Sequence, residues 1–190
     1  MRRSFIFVRR LLVFAVGSVF LAGAAQATPL MGQKTIALHT RDGQVSPIGT
    51  VNFEPQGEKT RFTVKMDPLK LKDFFLSMRE FKCAEGPAEI QCYVPYPYAQ
   101  PGTISSTDFS WLEHNLLFFY KQPTDFGAKL WNGVYYRLKS TDKGLVGEPQ
   151  AVDMGLIGVP PDNLNVPPFV PTERSDMPAG ARWFEKLTIE

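Results

Sequence analysis

The sequence predicts a mainly β, single-domain protein: a β-sandwich or small barrel of eight or nine strands with one or two short helices. Three observations lead there. Apolar and polar residues alternate in short runs such as "KTIALHT" and "RFTVKM", the period of a half-buried strand. Turn sequences, "RDGQ", "PQGEKT" and "TDKG" among them, separate such runs at short intervals. Helical spacing of apolar residues never extends beyond a few turns, so helices can only decorate a sheet.

The chain opens on "MRRSFIFVRR", with four arginines and no acid, followed by the apolar run "LLVFAVGSVFLAGAA" and then Ala25-Gln26-Ala27. A basic start, an apolar stretch and a small-x-small cut site make a secretory signal peptide over residues 1–27. The apolar run is shorter than the roughly 20 residues a bilayer span requires. Lengthening it to Phe5 would place Arg9 and Arg10 in lipid. "RRSFI" also fits a weak twin-arginine export signal. Without the leader, 21 basic residues fall to 17 against 19 acidic ones, a net charge of −2. That balance argues against a nucleic-acid partner, which would call for a positive face. The expectation is a periplasmic or secreted protein, in contact with membrane only during export, whose residues 28–190 fold as one domain.

Residues 33–66 read as strands. "KTIALHT" puts Ile36 and Leu38 on one face and His39 on the other. Asp42-Gly43 marks a two-residue hairpin turn. "IGTVNFEP" comes next, and Pro47, which cannot donate to a ladder, places the start of that strand after itself or on an edge. "RFTVKM" alternates with Phe62, Val64 and Met66 inward. In "DPLKLKDFFLSM", Asp67 can cap a helix and Pro68 suits its first position, which predicts a short helix over 68–75.

Both cysteines lie in "FKCAEGPAEIQCYVPYPYAQPG", residues 81–102. If 79–83 and 90–94 pair as a hairpin, Cys83 faces Cys92. An even count in an oxidising compartment then predicts a disulfide. The C-x8-C spacing fits neither a redox pair nor a zinc knuckle. Pro95 and Pro97 keep "YVPYPY" extended, with Tyr96 and Tyr98 on one side. A stiff aromatic segment presents rings at little ordering cost. Tyr93, Tyr96, Tyr98 and Trp111 are therefore the candidate binding residues. The competing reading packs these rings on the core beneath the disulfide.

Further on, "TISSTDFSWLEHNL" offers Ser106, Thr107 or Asp108 as a helix cap and Ser110-x-x-Glu113 as a capping box. "LLFFYK" reads as a buried strand. A hairpin turning at "TDKG" predicts strands over 134–139 and 145–152. Six prolines between 160 and 178 predict an extended arm that joins no ladder. "ARWFEKLTIE" closes the chain as a last strand anchored by Trp183. Trp111, Trp131 and Trp183 are all expected in the core.

Signatures of catalysis are missing: there is no G-x-S-x-G, H-E-x-x-H, phosphate loop or dinucleotide fingerprint. No cofactor and no metal site is expected. His114 and Glu113 are the alternative catalytic candidates, although neighbours on a helix do not face each other. Asp108, Glu113 and Asp125 are carboxylates that glycoside chemistry would need at a set separation.

Two resemblances bear on this reading. "TIALHTRDGQVSPIGTVNFEP" resembles the opening strands of copper/zinc superoxide dismutases. The histidines that family needs are missing here, where "DFFLSMREF" stands in their place, so neither its site nor its activity carries over. "FLSMREFKC", "CYVPYPY" and "WNGVYYRL" together resemble a group of small exported bacterial proteins with no established function, over most of residues 33–140. That resemblance implies export and a single domain. The expectation is an exported, non-catalytic envelope protein that binds an envelope protein or small ligand through its aromatic, proline-rich rim. The alternatives are an envelope hydrolase using the carboxylate and histidine candidates, and a small barrel holding an apolar ligand.

Overall fold

The structure, a computed structural model, describes residues 30–75, 78–157 and 162–190. The leader and the first two prolines of the arm lie outside them. Strands β1 (Gly32–Thr40), β2 (Val45–Gln56) and β3 (Lys59–Met66) form an antiparallel meander. The turn expected at Asp42-Gly43 spans four residues, 41–44. Thr40 N–H donates to Gln44 O at 2.9 Å, and Gly43 takes a φ of 83°. The Thr40 hydroxyl donates to the Asp42 carboxylate and accepts from Gln44 N–H at 3.0 Å. These side-chain bonds stabilise the wider turn. Pro47 lies within β2, not ahead of it. Ile36 pairs with Gly49 and Ala37 with Pro47, so Ile48 is the extra residue of a bulge. A bulge is where an interior strand tolerates proline.

The helix expected over 68–75 does not form. Asp67 accepts from Leu69 N–H at 2.9 Å, and Lys70 N–H reaches Asp67 O at 3.2 Å, which completes one turn. Leu71 then enters the core, and β4 (Lys72–Asp73) pairs with β5 (Lys82–Glu85). The cap is real, but burying Leu71 and pairing the next two residues outweigh a further turn of helix.

The remaining elements are β6 (Ile90–Val94), β7 (Thr103–Ile104), α1 (Ser110–His114), β8 (Leu117–Lys121), β9 (Gly133–Thr141), β10 (Gly144–Val152), β11 (Ser175–Asp176) and β12 (Phe184–Ile189). The twelve strands form one open antiparallel sheet, in the order β4-β5-β6-β8-β9-β10-β12-β1-β2-β3-β7, with β11 on β10. Three of them, β4, β7 and β11, have two residues each. The longer strands coincide with the runs that alternation, turn sequences and the apolar "LLFFYK" mark.

Strands β3 and β4 stand near opposite ends of this order, yet only residues 67–71 join them. That segment can span roughly 20 Å, so the sheet must curl. Its concave face packs one cluster drawn from both ends: Ile36, Val51, Phe53, Phe62, Ala84, Phe118, Tyr136 and Leu187. A smaller cluster on the other face gathers the disulfide, Phe119, Tyr135 and Phe169, flanked by Phe74, Phe75 and Phe81. The product is a barrel-like open sheet with filled packing on both faces. The first and last of the described strands pair at mid-sheet, Ile36 opposite Ile189.

The described part of the arm also departs from expectation. It makes a 3-10 turn at Pro171–Glu173, and then β11 pairs with Gln150 and Ala151 of β10. No proline falls at Ser175 or Asp176, so both keep the donors a ladder needs.

Candidate functional site

The end of β6, the segment after it and α1 carry the sequence candidates. Tyr93, the penultimate residue of β6, is half-buried, edge-to-face with Phe118 at 5.7 Å. Burial lifts its hydroxyl to about 12. Val94 still pairs with Leu117, after which the two prolines carry the chain away from the sheet. Tyr96 then meets Tyr98 at 5.6 Å and Trp111 at 6.0 Å, both edge-on. Three of the four candidates thus form one ring cluster, and Tyr93 packs separately. Trp111 is only 6% exposed. The Tyr96 hydroxyl is buried without a hydrogen-bond partner. Burial, with Tyr98 beside it, pushes its pKa up.

Trp111 also borders a cleft of about 180 Å³, lined further by Lys59, Pro101, Thr103, Ile104, Ser105, Asp108 and Asn165. An indole is surrounded there by hydroxyls, an amide and one charge of each sign. A wider groove of about 600 Å³ crosses the outer side of β1–β3, past Thr35, Thr50, Lys65 and Asp67. It lacks an aromatic wall.

Helix α1 places Glu113 and His114. Asp108, just ahead of it, accepts from Ser110 N–H at 2.9 Å and from the Ser110 hydroxyl at 2.6 Å. The capping box expected from Ser110 and Glu113 does not form, because Glu113 turns inward. Strand β8 pairs with β9 only at Val134 and Gly133, which leaves the next part of that β9 edge without a strand. Glu113 covers it, accepting from Leu138 N–H at 2.6 Å and from the Tyr135 hydroxyl. Burial raises the Glu113 pKa, against the pull of those two hydrogen bonds and of Arg174. His114 is 0% exposed. Its Nδ1 bonds Ser110 O at 2.6 Å, and its Nε2 accepts from Phe169 N–H at 2.9 Å. Burial lowers its pKa to about 4, so the imidazole is neutral at pH 7. The two candidates come together through Tyr135, whose ring lies 5.1 Å from His114. Both nitrogens of His114 are committed, a geometry that fastens the arm to α1.

Among the described residues, no three His, Cys, Asp or Glu side chains gather closely enough to hold a metal ion. Asp125 sits in the loop after β8, bonded to Gln122 N–H and paired with Lys129 at 3.2 Å. Cys83 and Cys92 pair across β5 and β6 and are joined as a disulfide.

Sequence reasoning misses two features. Trp131 is 65% exposed rather than in the core, in a 3-10 turn between β8 and β9, and Phe126 in the same connection is 99% exposed. The "TDFG" turn just before it is the available signal, since a tight loop leaves its side chains little to pack on. The second is a buried ion pair. Arg182 Nε donates to Glu89 at 2.9 Å, its Nη2 bonds the other carboxylate oxygen, and its guanidinium lies 3.4 Å over the Tyr120 ring. Nothing in the sequence links positions so far apart.

No family model, curated protein or solved structure matches this chain.

Proposed function

We infer that this chain is an exported, non-catalytic binding protein of the cell envelope, acting through the rim of Tyr93, Tyr96, Tyr98 and Trp111. One observation carries the reading. The Tyr96–Tyr98–Trp111 ring cluster stands beside a cleft whose other walls are hydroxyls, an amide and opposite charges. The cleft sets one aromatic ring among several convergent polar groups, and such groups fix the orientation of a small ligand. Export is supported by the leader sequence and by the disulfide, which oxidising compartments favour. Among the described residues, no helix is long and apolar enough to cross a membrane.

The test is the double variant Tyr96→Ala, Tyr98→Ala, compared with wild type in crosslinking to envelope extracts and soluble envelope ligands. Retained thermal unfolding with lost capture is the expected result. Equal capture by both proteins would sink the reading. Fractionation with N-terminal sequencing checks export: the mature chain should begin at Thr28.

A further inference from the structure

The arm reaches the cleft through Asn165, one of its lining residues. Four residues later, Phe169 is buried and stacked on His114, with ring centres 5.7 Å apart and planes 18° apart. The Phe169 N–H donates to His114 Nε2. From Asp162 to Val166 the arm is exposed. The stretch is therefore held by few contacts, and one of them is an acceptor that titrates. Protonating His114 would turn Nε2 into a donor facing another donor, and the bond to Phe169 would reverse into repulsion.

From this geometry we propose that residues 162–170 are an acid-released strap, latched over the Trp111 cleft by neutral His114 and freed when the imidazole takes a proton from water. The strap regulates the cleft inferred above to bind ligand and rests on that reading for its purpose, not for its mechanism. Release would remove the Asn165 wall and uncover Phe169 and His114.

The charges around the latch come from every element packed on it. Arg174, at the end of the arm, lies 4.4 Å over the Tyr135 ring and opposes protonation. Asp108, ahead of α1, favours it. Glu113 is engaged by Tyr135 and Leu138 of β9, and neither residue belongs to the strap. Release lifts part of the burial that holds His114 at about 4 and moves it towards its ordinary value of 6.5, which is the upper limit of the shift. The latched state is therefore fully favoured above 6.5 and loses ground as pH falls towards 4. The opening constant then rises by at most about tenfold per pH unit, and by at most about 80-fold between pH 6.5 and 4.

Amide exchange in the disulfide-intact protein, followed by NMR from pH 7 to 4.5 and corrected for intrinsic rates, tests this. Protection at Phe169 should fall steeply with acid while that at Tyr136 in β9 does not. His114→Gln should flatten the dependence. Phe169→Ala, which keeps the N–H, should raise opening at every pH and preserve the slope. Protection at Phe169 that ignores pH, or that falls in step with Tyr136, would overturn the proposal. The wild-type comparison decides even where His114→Gln does not fold. No ligand enters these measurements, so a failed binding test at the cleft leaves their outcome unaffected.

Discussion

Glu113 shows what one buried carboxylate does in this molecule. It replaces the missing part of a strand by taking the N–H of Leu138, and it also satisfies the Tyr135 hydroxyl. Glu113→Ala leaves both donors buried without an acceptor and should cost about 3 kcal/mol in urea unfolding. The carboxyl's pKa is raised in the fold. Its contribution is therefore present at low pH and is lost as pH rises through the folded pKa. Glu113→Gln cannot titrate, so its stability deficit against wild type should shrink from pH 4 to 7. Arg182 and Glu89 are exposed by only 4% and 7%. Arg182→Ala strands a buried carboxylate and should destabilise by about 3–5 kcal/mol. Neither arrangement is legible in the sequence. The Ser110-x-x-Glu113 pattern assigns Glu113 to a helix cap, because that pattern is local whereas its true partners lie in β9. Glu89 is paired with a residue that only the curled sheet brings near.

At the scale of the element, the hairpin of β5 and β6 is legible. Turn-forming "AEGPAE" between two short runs sets a register in which Cys83 faces Cys92. Replacing both with alanine should cost about 2–3 kcal/mol, the chain-entropy value for a loop of this length, measured as a lowered urea midpoint. The β9–β10 hairpin is equally readable, and its last turn residue matters. Gly144 has a φ of 149°, and a Cβ there would lie 2.0 Å from Ile189 O. Gly144→Ala should weaken the β10–β12 junction by about 2 kcal/mol, seen as earlier exchange of the Leu145 and Leu187 amides. Residues 67–71 are harder to read, because capping chemistry at Asp67 reports a single turn and carries no information about Leu71 and β4 beyond it.

Across the whole molecule, the positions of the longer strands are legible, from alternation in β1 and β3 and from turns and apolar runs elsewhere, and sheet order is not. Alternation records which face of a strand is buried, not which strand lies beside it. Trp131 makes the same point. Its size marks it for the interior, but the fold leaves it on a loop. Trp131→Ser should shift stability by less than about 0.5 kcal/mol, whereas Trp111→Ala should cost about 3–5 kcal/mol, in parallel thermal melts. The mid-sheet pairing of β1 with β12 has its own consequence. Until Phe184–Ile189 is available, the polypeptide is two unjoined half-sheets, each with a bare seam. A variant lacking those residues would expose two strand edges, each a template for pairing with another copy.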